Sequence, residues 1–319
     1  MSEPQITDLP GVGPTTAEKL AEAGFDTVLT IAVAHPSNII DAAGLSDKAA
    51  RKVIIAAREL LNIDFITGLE AEEKINNRGF MISTGSKEFD IMMGGGIKSG
   101  GITEVYGEYG SGKTQVAHQL CVNVIKQFKD RGEVAQVIYI DTENTFTPVR
   151  IRQMARGVGI EEDYVLENIK VIQAFNSDHQ TLLAEEAEKL IKRGDPVKMM
   201  VVDSLMAHFR AEYIGRGTLA DRQQKVNKHM RTLQKTADLY DIVVFCTNQV
   251  SASPGVFYGN PIQAIGGNIV GHNSRERIYL RRGKKIKDEV SRVAALVDSP
   301  YLPDGAASYF VREEGIVDL

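Results

Sequence analysis

The residues that most restrict the fold of this chain are Gly107-Glu108-Tyr109-Gly110-Ser111-Gly112-Lys113-Thr114, followed by Gln115. An apolar run over 102–106 precedes them, and a helical pattern over 114–128 follows. Strand, glycine-rich turn and helix in this order match the Walker A pattern of a P-loop. The glycines let backbone amides close around phosphates, the helix aims its positive end at them, Lys113 adds charge, and Thr114 offers a hydroxyl to Mg²⁺. The pattern arises by chance about one time in a hundred in a chain this long. A plain glycine-rich surface turn would not need the flanking elements. The expected fold class is therefore α/β with a mostly parallel sheet.

The rest of the chain fits that reading. Apolar runs over 102–106, 137–140, 171–175, 199–202 and 242–246 read as strands, and 114–128 and 181–192 as helices between them, so residues 79–319 form one α/β core. Residues 1–61 read instead as a small helical domain. Thr15-Thr16-Ala17-Glu18 has capping-box spacing for a helix that stops at Gly24. A second helix over 47–61 carries Ala50, Val53, Ile54, Ala57, Leu60 and Leu61 on one face. Between them, residues 62–78 lose periodicity and read as a linker holding the exposed aromatic Phe65.

Charge and cysteine content limit the setting. With 37 basic and 42 acidic residues the net charge is −5, so any nucleic-acid site must be locally basic. No apolar run approaches the roughly 18 residues that span a bilayer, and residues 1–5 lack the basic and apolar segments of a secretory leader. Cys121 and Cys246 lie in separate apolar segments as small core hydrophobes, which fits a reducing, cytoplasmic location.

Ligands of open α/β sheets sit beyond the carboxyl ends of strands, so the polar residues there carry information. Met199-Met200-Val201-Val202-Asp203 has Walker B form and puts Asp203 where it can hold Mg²⁺ with Thr114. An aspartate in that place is otherwise a turn or cap residue. Glu143, in Asp141-Thr142-Glu143, is the candidate catalytic carboxylate for the water that attacks a γ-phosphate, its alternative being a solvated loop acid. Gln249, in Thr247-Asn248-Gln249, is placed to sense that phosphate, although Asn and Gln commonly just begin a loop.

Taken together these residues resemble the RecA superfamily, and in detail the archaeal RadA family and its eukaryotic counterparts. The resemblance covers nearly the whole chain and is most specific at Gly107–Gln115, Tyr213-Ile214-Gly215-Arg216-Gly217, Asp221-Arg222-Gln223-Gln224-Lys225, Thr247-Asn248-Gln249-Val250 and Ile265-Gly266-Gly267-Asn268. It implies a RecA-like P-loop ATPase core and an N-terminal helix-hairpin-helix domain, matched by Leu9-Pro10-Gly11-Val12-Gly13.

Site roles follow from the resemblance. Lys113, Glu143 and Gln249 match the catalytic set, and Arg150 matches an arginine that stacks on adenine. Asp298-Ser299-Pro300 and Leu302-Pro303-Asp304 resemble a cap laid over the ATP of an adjacent subunit, and His272 a residue reaching that interface. Family members also bind potassium there, with Asp298 and Asp304 as matching ligands. Two DNA loops are implied near 210–225 and 251–271. Arg210, Arg216, Arg222 and Lys225 supply charge to the first, and Gly266 and Gly267 allow close approach in the second. Their bland alternative is a solvated basic helix face. Gly11 and Gly13 would present amides to duplex phosphates, or serve protein contacts. Phe65 with Gly68 resembles the family's polymerisation motif, its alternative being a local anchor for the linker. The run Arg281-Arg282-Gly283-Lys284-Lys285-Ile286-Lys287 reads equally as extra DNA contact or a solvated hairpin tip. The chain departs from the pattern at Asn144 (usually glycine), Thr147 (arginine), Ala295 (lysine) and the more charged Arg275-Glu276.

The expected activity is ATP-dependent pairing and exchange of DNA strands by a filament on single-stranded DNA, with ATP and Mg²⁺ as cofactors. The expected partners are single- and double-stranded DNA, other copies of the chain and recombination mediators, with no membrane. The competing readings are a mediator that uses ATP only to regulate partners, and a ring helicase or P-loop kinase, which would not need the hairpin domain, Phe65 and both loops together.

Overall fold

The computed structural model describes residues 4–61, 65–252 and 262–319. Two compact units divide the chain, Met1–Ile75 and Asn76–Leu319.

The first unit packs α1 (Pro14–Glu22), α2 (Val28–Ala32), α3 (Pro36–Ala43) and α4 (Asp47–Leu60) around Leu20, Ile31, Ile39, Val53 and Ile54. In α4 the buried residues are Ala50, Val53, Ile54 and Ala57, four of the six read onto one face from the sequence; Leu60 is exposed and Leu61, the C-cap beyond the last turn, is half-buried. Ser46 caps α4 by accepting from Ala49 N. The capping box at Thr15–Glu18 does not form. α1 begins earlier, with Gly13 as N-cap and Pro14 at a first position where a missing N–H costs nothing. The same Thr-x-x-Glu spacing is used at Thr67-Gly68-Leu69-Glu70. There Thr67 N and Oγ1 donate to Glu70 Oε2 at 2.7 and 2.8 Å, and Glu70 N donates to Thr67 Oγ1 at 3.2 Å. These bonds start α5 (Gly68–Arg78), so much of the stretch read as linker is helical.

In the second unit a short ribbon of β1 (Met81–Ile82) and β2 (Ile97–Lys98) flanks α6 (Lys87–Met92), ahead of a nine-stranded sheet. Its strands are β3 (Gly101–Gly107), β4 (Gln136–Asp141), β5 (Ile169–Gln173), β6 (Val197–Asp203), β7 (Val243–Asn248), β10 (Glu276–Ile286), β11 (Glu289–Asp298), β12 (Gly305–Arg312) and β13 (Gly315–Asp318). They lie in the order β13-β12-β11-β10-β3-β7-β6-β4-β5. From β10 to β5 the pairing is parallel, and from β10 to β13 it is antiparallel. Outside the sheet, β8 (Val250–Ala252) pairs antiparallel with β9 (Ile262–Ala264).

Both faces of the parallel part are covered, as βαβ crossovers demand. Tyr139, Met199, Val201 and Phe245 meet Val116 and Leu120 of α7 (Lys113–Lys129), Met154 of α8 (Pro148–Val158) and Val165 of α9 (Glu162–Glu167). Their strand neighbours Ile138, Ile140, Met200 and Val202 face Leu183 of α10 (Ser177–Lys192), Phe209 of α11 (Ala207–Glu212) and Met230 and Leu233 of α12 (Leu219–Tyr240). Both cysteines are buried and free in these cores.

Most boundaries fall within one or two residues of expectation, and two of the differences have a visible cause. The edge strand β5 ends at Gln173, opposite Asp141, and the chain then turns, with Ala174 N donating to Asp141 O at 2.8 Å. Ala174 and Phe175, read as strand, belong to that turn, and Phe175 stacks on His179. Helix α10 starts at Ser177 rather than 181, because Asn176 accepts from His179 N at 2.7 Å.

Candidate active site

The carboxyl ends of β3, β4, β6 and β7 open into one cleft of about 780 Å³ lined by the phosphate loop, Glu143, Asp203, Ser204 and Gln249. Backbone geometry selects its glycines. A Cβ on Gly107 would stand 2.2 Å from Leu280 O, and Gly112, the N-cap of α7, has φ +104°. Lys113 Nζ donates to Gly107 O and Glu108 O at 2.9 and 3.0 Å. Burial lowers its pKa, against the opposing pull of Asp203 and Glu143.

Asp203 is the hub. Its carboxylate accepts from Thr114 Oγ1 (2.8 Å), Tyr139 Oη (2.7 Å), Thr145 Oγ1 (3.3 Å) and Thr247 Oγ1. Among the described residues four hydroxyls thus hold this buried carboxylate beside Thr114. Among the described residues no three acidic, histidine or cysteine side chains gather as a metal site of their own. Thr114 and Asp203 would hold Mg²⁺ together with the oxygens of a phosphate ligand, which needs no such cluster, so the donor set fits.

Glu143 lies across the cleft. Ser204 Oγ and Gln249 Nε2 each donate to Glu143 Oε1 at 2.6 Å, so two strand ends converge on one oxygen and neither bond engages Oε2. The loop that carries it is shaped by Asp141, which accepts from Glu143 N and Phe146 N at 3.1 and 2.9 Å. Asn144 has φ +57°, a left-handed conformation that asparagine tolerates better than most residues, so it can stand where the RadA pattern has glycine.

Behind Asp203, His118 packs against the rings of Tyr139 and Phe146 with neither ring nitrogen hydrogen-bonded. Burial depresses its pKa to about 4. Burial and the Asp203 charge raise that of Tyr139.

The structure also brings in residues that sequence reading missed. Arg282 and Arg292, cross-strand partners on β10 and β11, line the cleft with Val311. A Cβ on Gly110 would lie 2.7 Å from an Arg282 guanidinium nitrogen, and one on Gly112 3.8 Å from Arg292 Nε. Arg282 therefore faces the phosphate loop instead of sitting in a solvated hairpin tip. The only signal in sequence is its place in the basic run, since antiparallel pairing across β10 and β11 decides which arginine turns inward.

Arg150 does not line the cleft. Its guanidinium edges donate to Gln115 Oε1 (2.6 Å), Gln153 Oε1 (3.1 Å), Glu313 O (2.7 Å) and Arg312 O (2.6 Å). Stacking uses the face of the guanidinium rather than its edge, so these bonds orient the plane. Thr147 precedes α8 as its N-cap without a side-chain cap bond.

The remaining predicted residues lie elsewhere. His272 is exposed on α13 (Gly267–Asn273), Asp298 is exposed at the end of β11, and Pro303 and Asp304 are exposed between β11 and β12. Gly266 and Gly267 start α13 with φ +103° and +58°, values favoured by glycine. Arg210 is exposed on α11, and Arg222 is half-buried on α12. Lys225 pairs with Asp178 at 2.6 Å and lies over the Tyr213 ring, and those contacts raise its pKa. Arg216 falls in the 3₁₀ turn Arg216–Thr218. The second DNA loop lies partly outside the described residues, at 253–261. In the first unit Gly11 has φ +88°, Gly13 caps α1, and Phe65 is fully exposed just before Gly68 opens α5.

Comparison with known proteins gives this geometry a lineage. The Rad51 family model matches residues 76–319, and a SAM-like helix-hairpin-helix tandem model matches residues 4–59. The DNA repair and recombination protein RadA of Methanococcus voltae is 49% identical over 323 residues, covering 98% of this chain and 99% of the relative. The protein of the same name from Methanococcus maripaludis strain C7 is 48% identical over 323 residues, with the same coverage. With its ATPase-type cleft and end-to-end likeness to RadA proteins, the chain belongs to the Rad51 family.

Proposed function

We propose that this chain is an ATP-dependent DNA recombinase, which assembles on single-stranded DNA and exchanges that strand with a homologous duplex. The observation that carries the reading is the convergence of Lys113, Thr114, Asp203, Glu143 and Gln249 on one cleft, with Gln249 leading directly into β8 and the second glycine-rich segment. When bound, ATP supplies the phosphoryl group and Mg²⁺ neutralises charge on it. The amides of 107–114 and Lys113 hold the phosphates, while Thr114 and Asp203 hold the metal. Glu143 takes the proton of the attacking water at Oε2, and Gln249, anchored on Oε1, links that carboxylate to the DNA-binding segment after β7.

Assembly completes the site. Asp298, Pro303 and Asp304 cap nucleotide bound by a neighbouring copy, His272 reaches the same junction, and Asp298 and Asp304 are the oxygen donors available to potassium there. Phe65 and Gly68 dock each copy onto the next. Arg210, Arg216, Arg222, Lys225, Gly266 and Gly267 take the DNA backbone, and Gly11 and Gly13 take duplex phosphates with backbone amides. No helix among the described residues is long and apolar enough to cross a membrane.

The test is strand exchange between a labelled oligonucleotide and duplex, with ATP and Mg²⁺. Exchange with homologous but not unrelated duplex is expected. ATP and DNA binding without exchange would refute the reading.

A further inference from the structure

Glu276 begins β10 opposite Thr103 of β3, and its carboxylate is completely buried. Three side chains donate to it: Thr103 Oγ1 to Oε2 at 3.0 Å, and Arg275 Nε and Tyr301 Oη to Oε1 at 2.6 and 2.8 Å. Arg275 also donates to Ser99 O at 2.9 Å and Lys98 O at 2.6 Å. A buried carboxylate held by this many donors resists displacement, because losing any one leaves charge or donors unpaired.

Tyr301 is the only one of the three donors outside β3 and the start of β10. It stands midway along the 298–304 loop, three residues from both Asp298 and Asp304. Lys98 Nζ lies 5.4 Å from its ring centre, Leu302 N donates to Ser299 Oγ at 3.2 Å, and Leu302 packs on the core. One residue along β10, on the opposite face, Arg277 pairs with buried Glu104 at 2.7 Å. Glu104 accepts from Asn248 Nδ2 at 2.7 Å, and that nitrogen also donates to Ile265 O at 2.6 Å. The β3–β10 pair thus carries two buried carboxylates back to back, one tied to the 298–304 loop and the other to the segment that follows β9.

We propose that Tyr301 is a positioning residue, whose hydrogen bond to Glu276 fixes the 298–304 loop to the start of β10, beside the strand that ends in the phosphate loop, and so presents Asp298, Pro303 and Asp304 ready-made to a neighbouring copy's nucleotide. This rests on the reading of that loop as a cap. Arg275 and Glu276, departures from the RadA pattern, gain a role as the buried half of the anchor. A loop held in its binding conformation pays less ordering entropy when nucleotide arrives, so losing the anchor raises the ATP concentration needed without changing the chemistry at Glu143.

The experiment uses Tyr301→Phe in the full chain, which removes only the hydroxyl, with Asp304→Ala as the reference for capping. DNA-dependent hydrolysis is followed as a function of ATP. For Tyr301→Phe the half-saturating concentration should rise about fivefold, the worth of one such hydrogen bond, at unchanged maximal rate. Binding of a fluorescent ATP analogue to the Phe65→Glu protein should not change when Tyr301→Phe is added, because no neighbour then supplies a cap. A shift with Asp304→Ala but none with Tyr301→Phe overturns the anchor and leaves the cap standing. No shift with either removes the cap reading, and the inference with it. Weakened binding in the Phe65→Glu background marks Tyr301 as a general structural residue and also overturns the proposal.

Discussion

Gln249 Nε2 and Glu143 Oε1 lie 2.6 Å apart, so the residue that follows β7 is hydrogen-bonded to the carboxylate beyond β4. With Ser204 donating to the same oxygen, neither bond engages Oε2, the atom we propose takes the proton of the attacking water. Glu143→Gln preserves the size of the side chain but removes its basicity, so DNA-stimulated phosphate release should fall by about 10²- to 10⁴-fold while ATP-dependent filaments persist in electron micrographs. Release within threefold of wild type would mean that the proton goes elsewhere.

Asp203→Ala takes away the shared acceptor of Thr114, Tyr139, Thr145 and Thr247. Urea unfolding in the presence of a chelator should show a loss of about 3 kcal/mol, from hydroxyls left without a partner, separately from any loss of Mg²⁺ binding. A change below about 0.5 kcal/mol would show that the hydroxyls find other acceptors or water.

Arg292 carries a buried Nε without a hydrogen-bond partner, next to Gly112 and lining the cleft. Arg292→Met keeps the aliphatic bulk but removes the cation. Affinity for a fluorescent ATP analogue should drop about tenfold, with a shallower dependence on salt. Unchanged affinity and salt slope would confine Arg292 to the β10–β11 ladder.

Stability should fall on mild acidification. Burial depresses His118 and His229 to about 4, below the ordinary 6.5. Between those values the unfolded chain binds more protons than the folded one, so stability is lost as pH falls from 6.5 toward 4, by at most roughly 3 kcal/mol per ring. His229, whose Nε2 lies 3.2 Å from Gln180 Nε2 and whose ring packs on Phe209, is the cleaner probe. His229→Gln should flatten the slope of unfolding free energy between pH 4 and 6.5, and an equal slope in both proteins would show the ring to be charged or exposed in the fold.

What could be read in the sequence was what neighbouring residues decide. The strand–turn–helix around Gly107–Thr114, Asp203 at the end of β6 and the helix face of Ala50, Val53, Ile54 and Ala57 follow from spacing along one strand or helix and appear in the structure, whereas Leu60, read onto that face, lies exposed in the last turn. The two Thr-x-x-Glu spacings show where local signals become ambiguous, since Pro14 sets the start of α1 and only Thr67 forms a capping box. The inward turn of Arg282 and Arg292, the anchoring of Tyr301 on Glu276 and the end of β5 at Gln173 depend on pairing between distant strands, which spacing along the chain does not encode.

The central place of β3 sets the order in which the site can form. Its ladder partners are β7 and β10, with Ile102 opposite Val244 and Thr103 opposite Glu276, both encoded far downstream. The strand beneath the phosphate loop is thus among the first of the sheet to be synthesised, and it stays unpaired until much of the chain has emerged from the ribosome. Its apolar run remains exposed throughout that interval, and high contact order slows closure further, so nascent-chain truncations ending before residue 242 should bind no nucleotide and should depend on chaperones for solubility.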